Sequence, residues 1–218
     1  MKKLQKCALV LVTVVAIVYI LRWVLGCGGL SSKEYLEIDS TELRTGDLLL
    51  RMGLGGESYT VEMMSGGDYS HVGLALQTDS GWMVVHAVPG EVAEGEEEWL
   101  KCERITAYYD REHAQDGCIA RVMCSDSVAK RATAYALAKQ QARVLFDNDY
   151  EADDSTLLYC TELVWRAYKS VGIDLIENRR HDLLVGPAKD PVMYPEDVLR
   201  SKHVKMIKRL RINHIINH

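Results

Sequence analysis

Two neighbouring runs of alternating apolar and small or polar residues constrain the fold of this 218-residue chain more than any other feature. The runs cover residues 70–76 and 81–88, and the four residues 77–80 separate them. This pattern predicts a β-hairpin whose side chains alternate between the two faces of a sheet. With residues 77–80 as the loop, His71 lies opposite His86 on one face, whereas a loop one residue longer or shorter separates them. The hairpin therefore predicts a pair of histidines that depends on its register.

Residues 157–168 predict an amphipathic helix with a cysteine near its first turn. The residues with i, i+3, i+4 and i+7 spacing on its inward face are Cys160, Leu163, Val164 and Ala167. Residues 153–156 supply candidate caps, and Gly172 is expected to end the helix. The free N–H groups and the dipole of a helix start favour a thiolate at Cys160. Because most helical cysteines simply pack in a core, a reactive Cys160 also requires a base from elsewhere in the chain.

The remaining patterns complete a mixed set of elements. The glycine-rich segment 52–68 is predicted to be a loop, either a plain connection or a wall of a substrate cleft. Together the elements predict an α+β fold, in which a small antiparallel sheet or open barrel packs against the helix that carries Cys160. The other predicted elements are strands at 46–51, 117–123 and 204–212, a helix over 128–144 capped within 125–127, and a short helix from Pro195.

The N-terminus carries a targeting signal. Three lysines within the first six residues precede an apolar run over residues 7–21, as in signal peptides and membrane anchors. Residues 24–27 resemble a bacterial lipobox that would place a lipid on Cys27, although Arg22 is unusual in such a segment. We therefore expect residues 1–30 to be a cleaved signal, a lipoprotein signal or a membrane anchor. Their positive charge indicates that the remaining chain faces the periplasm or the cell exterior.

After a linker over residues 31–42, the chain is long enough for one domain, residues 43–218. The net charge of −5 and the pI near 5.8 give no reason to expect binding to nucleic acid. The acidic run 91–98 and the basic run 202–211 are predicted to be solvated surfaces. The cysteines of the domain lack the spacing of a zinc site, and we expect neither a metal nor a cofactor. No pattern indicates the oligomeric state.

A cysteine at a helix start, a histidine on a strand and a polar residue on the next strand form the catalytic arrangement of papain-like enzymes. Cys160 is the predicted nucleophile, and His71 is the predicted general base because imidazole titrates near neutrality. His86 is the predicted third residue, which orients the ring of His71. The other histidines lie in polar or terminal segments and are predicted to be solvated: His113, His181, His203, His214 and His218.

Four motifs resemble the circularly permuted NlpC/P60 (papain-like) proteins of the YiiX/YebB-like group, in which the histidine precedes the cysteine. The motifs are LRTGDLLL at 43–50, YSHVGLA at 69–75, VVHAVPG at 84–90 and YCTELVWRAY at 159–168. The resemblance implies a permuted papain-like fold and a thiol peptidase or amidase activity. It also implies that Cys160 is the nucleophile, His71 the base and His86 the third polar position.

The chain departs from this group before the cysteine, where relatives often have Tyr-Asp and this sequence has Phe146 and Asp147. The departure leaves the source of a tyrosine hydroxyl near the oxyanion open between Tyr150 and Tyr159. Glu162 matches a position of the group, but its place on the helix predicts a structural ion pair.

Three functions agree with these features. The first is an exported or membrane-tethered thiol hydrolase that cleaves amide bonds through an acyl-enzyme on Cys160, with cell-wall peptides as the expected substrate. The second uses the same site on lipid acyl esters or amides, to which Met52, Leu54, Met63 and Met64 would be suited. The third is a non-catalytic surface binding module. The expected partners are thus a peptidoglycan peptide or a lipid, and the membrane through the N-terminal segment.

Overall fold

The computed structural model describes residues 36, 38–93, 95–152, 156–182 and 191–210. The predicted signal or anchor, residues 1–30, lies outside this part of the chain. Leu36, within the predicted linker, is buried and donates its N–H to the carbonyl of Tyr109 at 3.0 Å. Among the described residues, no helix combines the length and apolar character that crossing a bilayer requires.

A six-stranded antiparallel sheet forms the centre of the described fold, with the strand order β4 (Lys101–Arg104), β3 (Gly81–His86), β2 (His71–Thr78), β1 (Leu48–Met52), β5 (Asp116–Val122) and β8 (Val204–Arg209). Two further short strands, β6 (Leu145–Phe146) and β7 (Leu157–Leu158), pair in parallel. The predicted α+β fold with an antiparallel sheet is confirmed.

Five helices accompany the described strands, and one of them corrects the sequence analysis. The predicted loop at 52–68 contains the ten-residue helix α1. Its glycines lie at the two ends, where Gly66 takes the left-handed conformation that ends a helix, with φ 60°. No residue of α1 is buried, so its sequence has no apolar stripe that would reveal it. The helices are α1 (Gly56–Ser65), α2 (Ile105–Tyr108), α3 (Asp126–Gln141), α4 (Cys160–Lys169) and α5 (Pro195–Leu199).

The apolar residues divide between the two faces of the sheet. The larger cluster joins alternate strand residues such as Leu50, Val72 and Leu74 to the buried sides of α3 and α4. Leu163 and Val164 of α4 are fully buried there, as the helical spacing predicts. The smaller cluster covers the other face with Leu49, Ala75, Val84 and Ile119, and packs against Leu36, Tyr108 and Tyr109. His71 and His86 alternate with the residues of the larger cluster and therefore belong to the second face.

The pairing of β2 with β3 corrects the predicted register. Ala75 lies opposite Val84 and Thr78 opposite Gly81, so the loop is the two residues 79–80 and not the four residues 77–80. The error is two residues along the strand. Because side chains alternate with a period of two, a shift of two residues keeps His71 and His86 on the same face.

Candidate active site

Cys160 is the first residue of α4, and the helix begins later than the predicted caps. Tyr159 takes the N-cap position without a side-chain cap, because the residues of β7 just before it are extended and pair with β6. The amide N–H groups of Cys160 and Thr161 therefore point toward the thiol. The thiol also accepts a hydrogen bond from the N–H of Val72 in β2, so it meets the peptide unit that joins His71 to Val72.

Burial decides the protonation of the partly exposed Cys160 side chain. The pKa of the thiol is raised by burial, although the hydroxyl of Thr161 and the amides around it act in the opposite direction. The helix start thus lowers the pKa of the thiol, as expected, but burial outweighs this effect and raises the pKa overall. Burial disfavours the charged thiolate more than the three amides and the Thr161 hydroxyl stabilise it. The thiol has its side-chain hydrogen bond with Thr161 Oγ1, at 3.7 Å.

The two predicted histidines meet on the second face of the sheet. His71 Nε2 and His86 Nδ1 are 2.9 Å apart, although the two residues are diagonal neighbours and not direct partners across the strands. Gly73 makes this approach possible, since a Cβ atom there would lie 2.6 Å from Val84 Cγ1 and 3.0 Å from His86 Cβ. Burial, together with the nearby charge of Arg51, holds the pKa of His71 well below its ordinary value, so its ring is neutral.

A carboxylate that the sequence analysis did not predict extends this pair. Glu103 Oε1 lies 3.1 Å from His86 Nε2. In the pairing of β3 with β4, Glu103 is opposite Val84, which places it on the same face as His86. Burial lowers the pKa of His86, against the opposing effect of Glu103. Although burial alone would raise it, the pKa of Glu103 is lowered overall by the hydrogen bond from His86 and by the charges of Lys101 and Arg51.

Tyr108 and Arg51 support the histidines from below. The ring of Tyr108 is 5.0 Å from that of His86 in an edge-to-face arrangement, and its hydroxyl donates to Leu49 O at 2.8 Å. The Arg51 guanidinium lies 4.5 Å from the centre of the Tyr108 ring and donates to the Tyr108 carbonyl at 2.8 Å. Because its ring contacts both imidazoles and its hydroxyl is held by Leu49, Tyr108 restricts the positions of the two histidine rings.

The acidic run 91–98 is not wholly a solvated surface, as the sequence analysis expected. Glu91 forms an ion pair with the buried guanidinium of Arg51 and lies 3.5 Å from Lys101 Nζ. Arg51 is 2% exposed, and a buried cation requires such a partner. Glu98 accepts a hydrogen bond from the Gly90 amide at 2.6 Å. The run therefore folds back over the charged residues beside the histidines.

The residues before Cys160 form a tight loop around a buried carboxylate. Asp147 accepts the amides of Asp149 and Glu151 at 2.9 and 2.6 Å. Tyr150 in this loop has φ 57°, an uncommon conformation for a bulky residue. Its ring lies 5.3 Å from that of Tyr159, whose hydroxyl accepts the Met193 amide at 3.1 Å. The phenol of Tyr159 is thus held within the fold, whereas that of Tyr150 has no such bond to any residue of the described ranges.

Glu162 forms the predicted ion pair with Arg166, at 2.5 Å, but within the protein interior. Its side chain is fully buried, and among the residues that the structure describes Oε2 has no hydrogen-bond partner. Burial raises the pKa of Glu162 to about 7, against the effect of Arg166 and with a contribution from Asp147. The residue next but one to the cysteine is therefore a strongly perturbed structural carboxyl.

The other predicted site features have simpler outcomes. His113 and His181, predicted to be solvated, bond Asp110 and Asp197 at 2.8 and 2.9 Å. The four cysteines of the described fold, Cys102, Cys118, Cys124 and Cys160, are free thiols. Within the described ranges, no group of three or more His, Cys, Asp or Glu side chains is arranged to hold a metal ion.

Local signals for the missed residues were weak. Glu103 lies in a four-residue strand, too short for alternation to be recognised, and Tyr108 lies in a four-residue helix. The one available signal was the spacing of Lys101 and Glu103. Residues two apart in a strand lie on the same face, as Val84 and His86 do, so these two charged side chains could have been predicted to share one face of their strand.

Comparison with known proteins agrees with this architecture. No curated protein matches the chain at a significant level. The fold is similar to the crystal structure of metalloprotein YiiX from Escherichia coli O157:H7, with a TM-score of 0.63 and 18% sequence identity over 76% of this chain and 97% of that one. A family model described as permuted papain-like amidase enzyme, YaeF/YiiX, C92 family, matches residues 42–208. The predicted resemblance is confirmed: the chain belongs to the C92 family of permuted papain-like amidases, and it is a cysteine hydrolase of the peptidase or amidase kind.

Proposed function

We propose that the chain hydrolyses an amide bond through an acyl-enzyme on Cys160, with His71 as general base and His86 as the residue that orients it. The observation that carries this proposal is that Cys160 contacts the backbone of β2 at Val72, the residue next to His71, while His71 pairs with His86. The Cys160 thiol bonds the amide of Val72, and the neighbouring His71 ring is 2.9 Å from His86. On this proposal Cys160 and His71 rest as a neutral thiol and a neutral imidazole, and the proton passes from the thiol to the ring when substrate arrives.

The chemistry follows from this pair. His71 takes the thiol proton, the thiolate sulfur attacks the carbonyl carbon, and the amide carbonyl becomes a tetrahedral oxyanion. The C–N bond breaks as His71 returns the proton to the leaving amine, which leaves a thioester on Cys160. Water then attacks the thioester, His71 takes its proton, and the breaking C–S bond regenerates the thiol with that proton. The N–H groups at the start of α4 are donors suited to the oxyanion.

The expected substrate is a peptide of the cell wall. The export signal in residues 1–30 supports this choice, because a chain that faces the periplasm or the cell exterior meets peptidoglycan there. On this proposal the N-terminal segment tethers or delivers the domain, either as a membrane anchor or through a lipid on Cys27.

A second substrate class is favoured by α1. Leu54, Tyr59, Met63 and Met64 are between 40% and 78% exposed, and together they form an apolar surface on and before this helix. The pKa of Tyr150 is raised by burial and, further, by the charges of Cys160 and of Glu57 in α1, which supports a position of α1 near the cysteine. A lipid acyl ester or amide would find an apolar surface there.

The test compares Cys160→Ala with a matched Cys124→Ala variant, since Cys124 is also partly buried and belongs to another part of the fold. Each is assayed on a muropeptide and on phospholipid vesicles. We expect loss of turnover only in Cys160→Ala, together with an acyl adduct on Cys160 of the native protein by mass spectrometry. Full activity of Cys160→Ala would refute the proposal. Cleavage of phospholipid alone would select the second substrate class, and turnover of neither would favour the binding module.

A further inference from the structure

We propose that Glu103 is a positioning residue that fixes the tautomers of both histidines and thereby makes Nδ1 of His71 the basic nitrogen. The inference rests on the proposed function for its catalytic meaning, but its structural content can be tested without activity. It starts from an unbroken line of three side chains: Glu103 Oε1 is 3.1 Å from His86 Nε2, and His86 Nδ1 is 2.9 Å from His71 Nε2.

The carboxylate decides the direction of this line. An ionised carboxylate only accepts hydrogen bonds, so Nε2 of His86 must carry a proton and donate it toward Glu103. In a neutral imidazole the other nitrogen is then unprotonated, and His86 Nδ1 is an acceptor. His71 must therefore donate from Nε2, which leaves its Nδ1 without a proton. The ionised Glu103 carboxylate therefore fixes the Nε2–H tautomer of His86 and, through it, the Nε2–H tautomer of His71.

The burial of the two rings makes this choice strict. His86 is fully buried and His71 is 6% exposed, so water does not offer either ring an alternative partner. A reversed tautomer of His86 would leave Glu103 without its donor, and it would point two N–H groups at each other unless His71 also changed its tautomer. In water the two tautomers of a histidine interconvert freely, whereas here the wrong one loses a buried hydrogen bond.

Glu103 also balances the charge that catalysis creates. When His71 Nδ1 takes the thiol proton, the ring becomes a cation in a region that already contains Arg51 and Lys101. Glu91 pairs with both of these side chains, so its charge is already matched. The negative charge of Glu103 stabilises the cationic ring of His71, and this effect is transmitted through the polarised ring of His86 between them. This is the role that a buried aspartate has in serine proteases, extended here by one imidazole.

The direct test reads the ring nitrogens by long-range ¹H–¹⁵N NMR in Cys160→Ala, in which no reaction can occur. We expect a protonated Nε2 and an unprotonated Nδ1 for both His71 and His86. In Cys160→Ala/Glu103→Gln, the amide can either accept or donate, so we expect His86 to lose its single tautomer. Cys160→Ala/Glu112→Gln, with an exposed side chain exchanged, should match the parent.

The kinetic test uses the full chain with native Cys160. Glu103→Gln should lower kcat/KM by about 10- to 100-fold, the effect that loss of a carboxylate partner has on metal-binding histidines, and should shift the pH profile. Glu103→Asp should recover part of the loss, whereas Glu112→Gln should have no effect.

The outcomes separate this inference from the proposed function. An Nδ1 proton on His86, or identical ring spectra with and without Glu103, would overturn the role of Glu103 whatever the activity. The expected tautomers together with full activity of Cys160→Ala would instead refute the proposed function and leave the positioning of the histidines intact. If Glu103→Gln fails to fold, the spectrum of Cys160→Ala alone still decides the tautomers.

Discussion

Replacing Glu162 with glutamine should stabilise the protein at alkaline pH although it removes an ion pair. Glu162 is fully buried, and its pKa is raised from 4.5 to about 7 by burial. A carboxyl whose pKa is raised in the folded state stabilises the fold below its unfolded pKa, and this contribution is lost as the pH rises through the folded pKa. The difference between about 7 and 4.5, at about 1.4 kcal/mol per pKa unit, amounts to about 3 kcal/mol.

Glutamine has the shape of the protonated carboxyl and does not titrate, so it avoids this loss. The assay is urea unfolding of the native protein and Glu162→Gln at several pH values from 5 to 8, with Glu112→Gln as an exposed control. The free energy of unfolding of Glu162→Gln relative to the native protein should rise by about 2.5 kcal/mol over this range, because the first part of the total change lies below pH 5. The charged groups that face Glu162 are Arg166 and Asp147, and both are unchanged in the variant. A relative stability that stays flat or falls with pH would show that Arg166 compensates the burial of the carboxylate, and would refute the reasoning.

Two further substitutions test the packing around the histidines. Gly73→Ala should displace Val84 and His86, because its Cβ would lie 2.6 and 3.0 Å from their side chains. Thermal unfolding should show that the free energy of unfolding falls by about 1–3 kcal/mol, and kcat should fall as well. An unchanged NMR spectrum of the His86 ring would contradict this account. Glu91→Gln should lower the free energy of unfolding by about 3 kcal/mol, because it leaves the buried guanidinium of Arg51 without its anion; a neutral effect in urea unfolding would mean that solvent reaches Arg51.

The elements that the sequence predicted well are those with a long, regular pattern. The helix that begins at Cys160 has apolar residues at every position its inward face requires, and these residues are buried. The histidine pair was predicted from a wrong register, and it survived because the error was an even number of residues. The helix α1 was missed because a helix without a buried side has no periodic signal.

The candidate site was predictable only as far as local spacing reaches. Cys160, His71 and His86 were recognised from a helix start and a hairpin, whose partners are close in sequence. Glu103 was not, because its contact with His86 depends on which strand pairs with β3, and a four-residue strand does not specify its partner. The protonation of Cys160 was also beyond local inference, since the first turn of a helix favours a thiolate and burial against β2 reverses that preference.

The residues that share a face of each strand or helix follow from the sequence alone, because the periods of 2 and 3.6 residues are properties of the backbone. In this way the sequence predicts that a cysteine lies near the start of a helix and that two histidines share one side of a sheet. Contacts between distant segments establish that Glu103 completes the line of hydrogen bonds and that Glu91 covers Arg51. Strand partners and charge burial depend on contacts between distant segments, and no local pattern encodes the low dielectric that those contacts create.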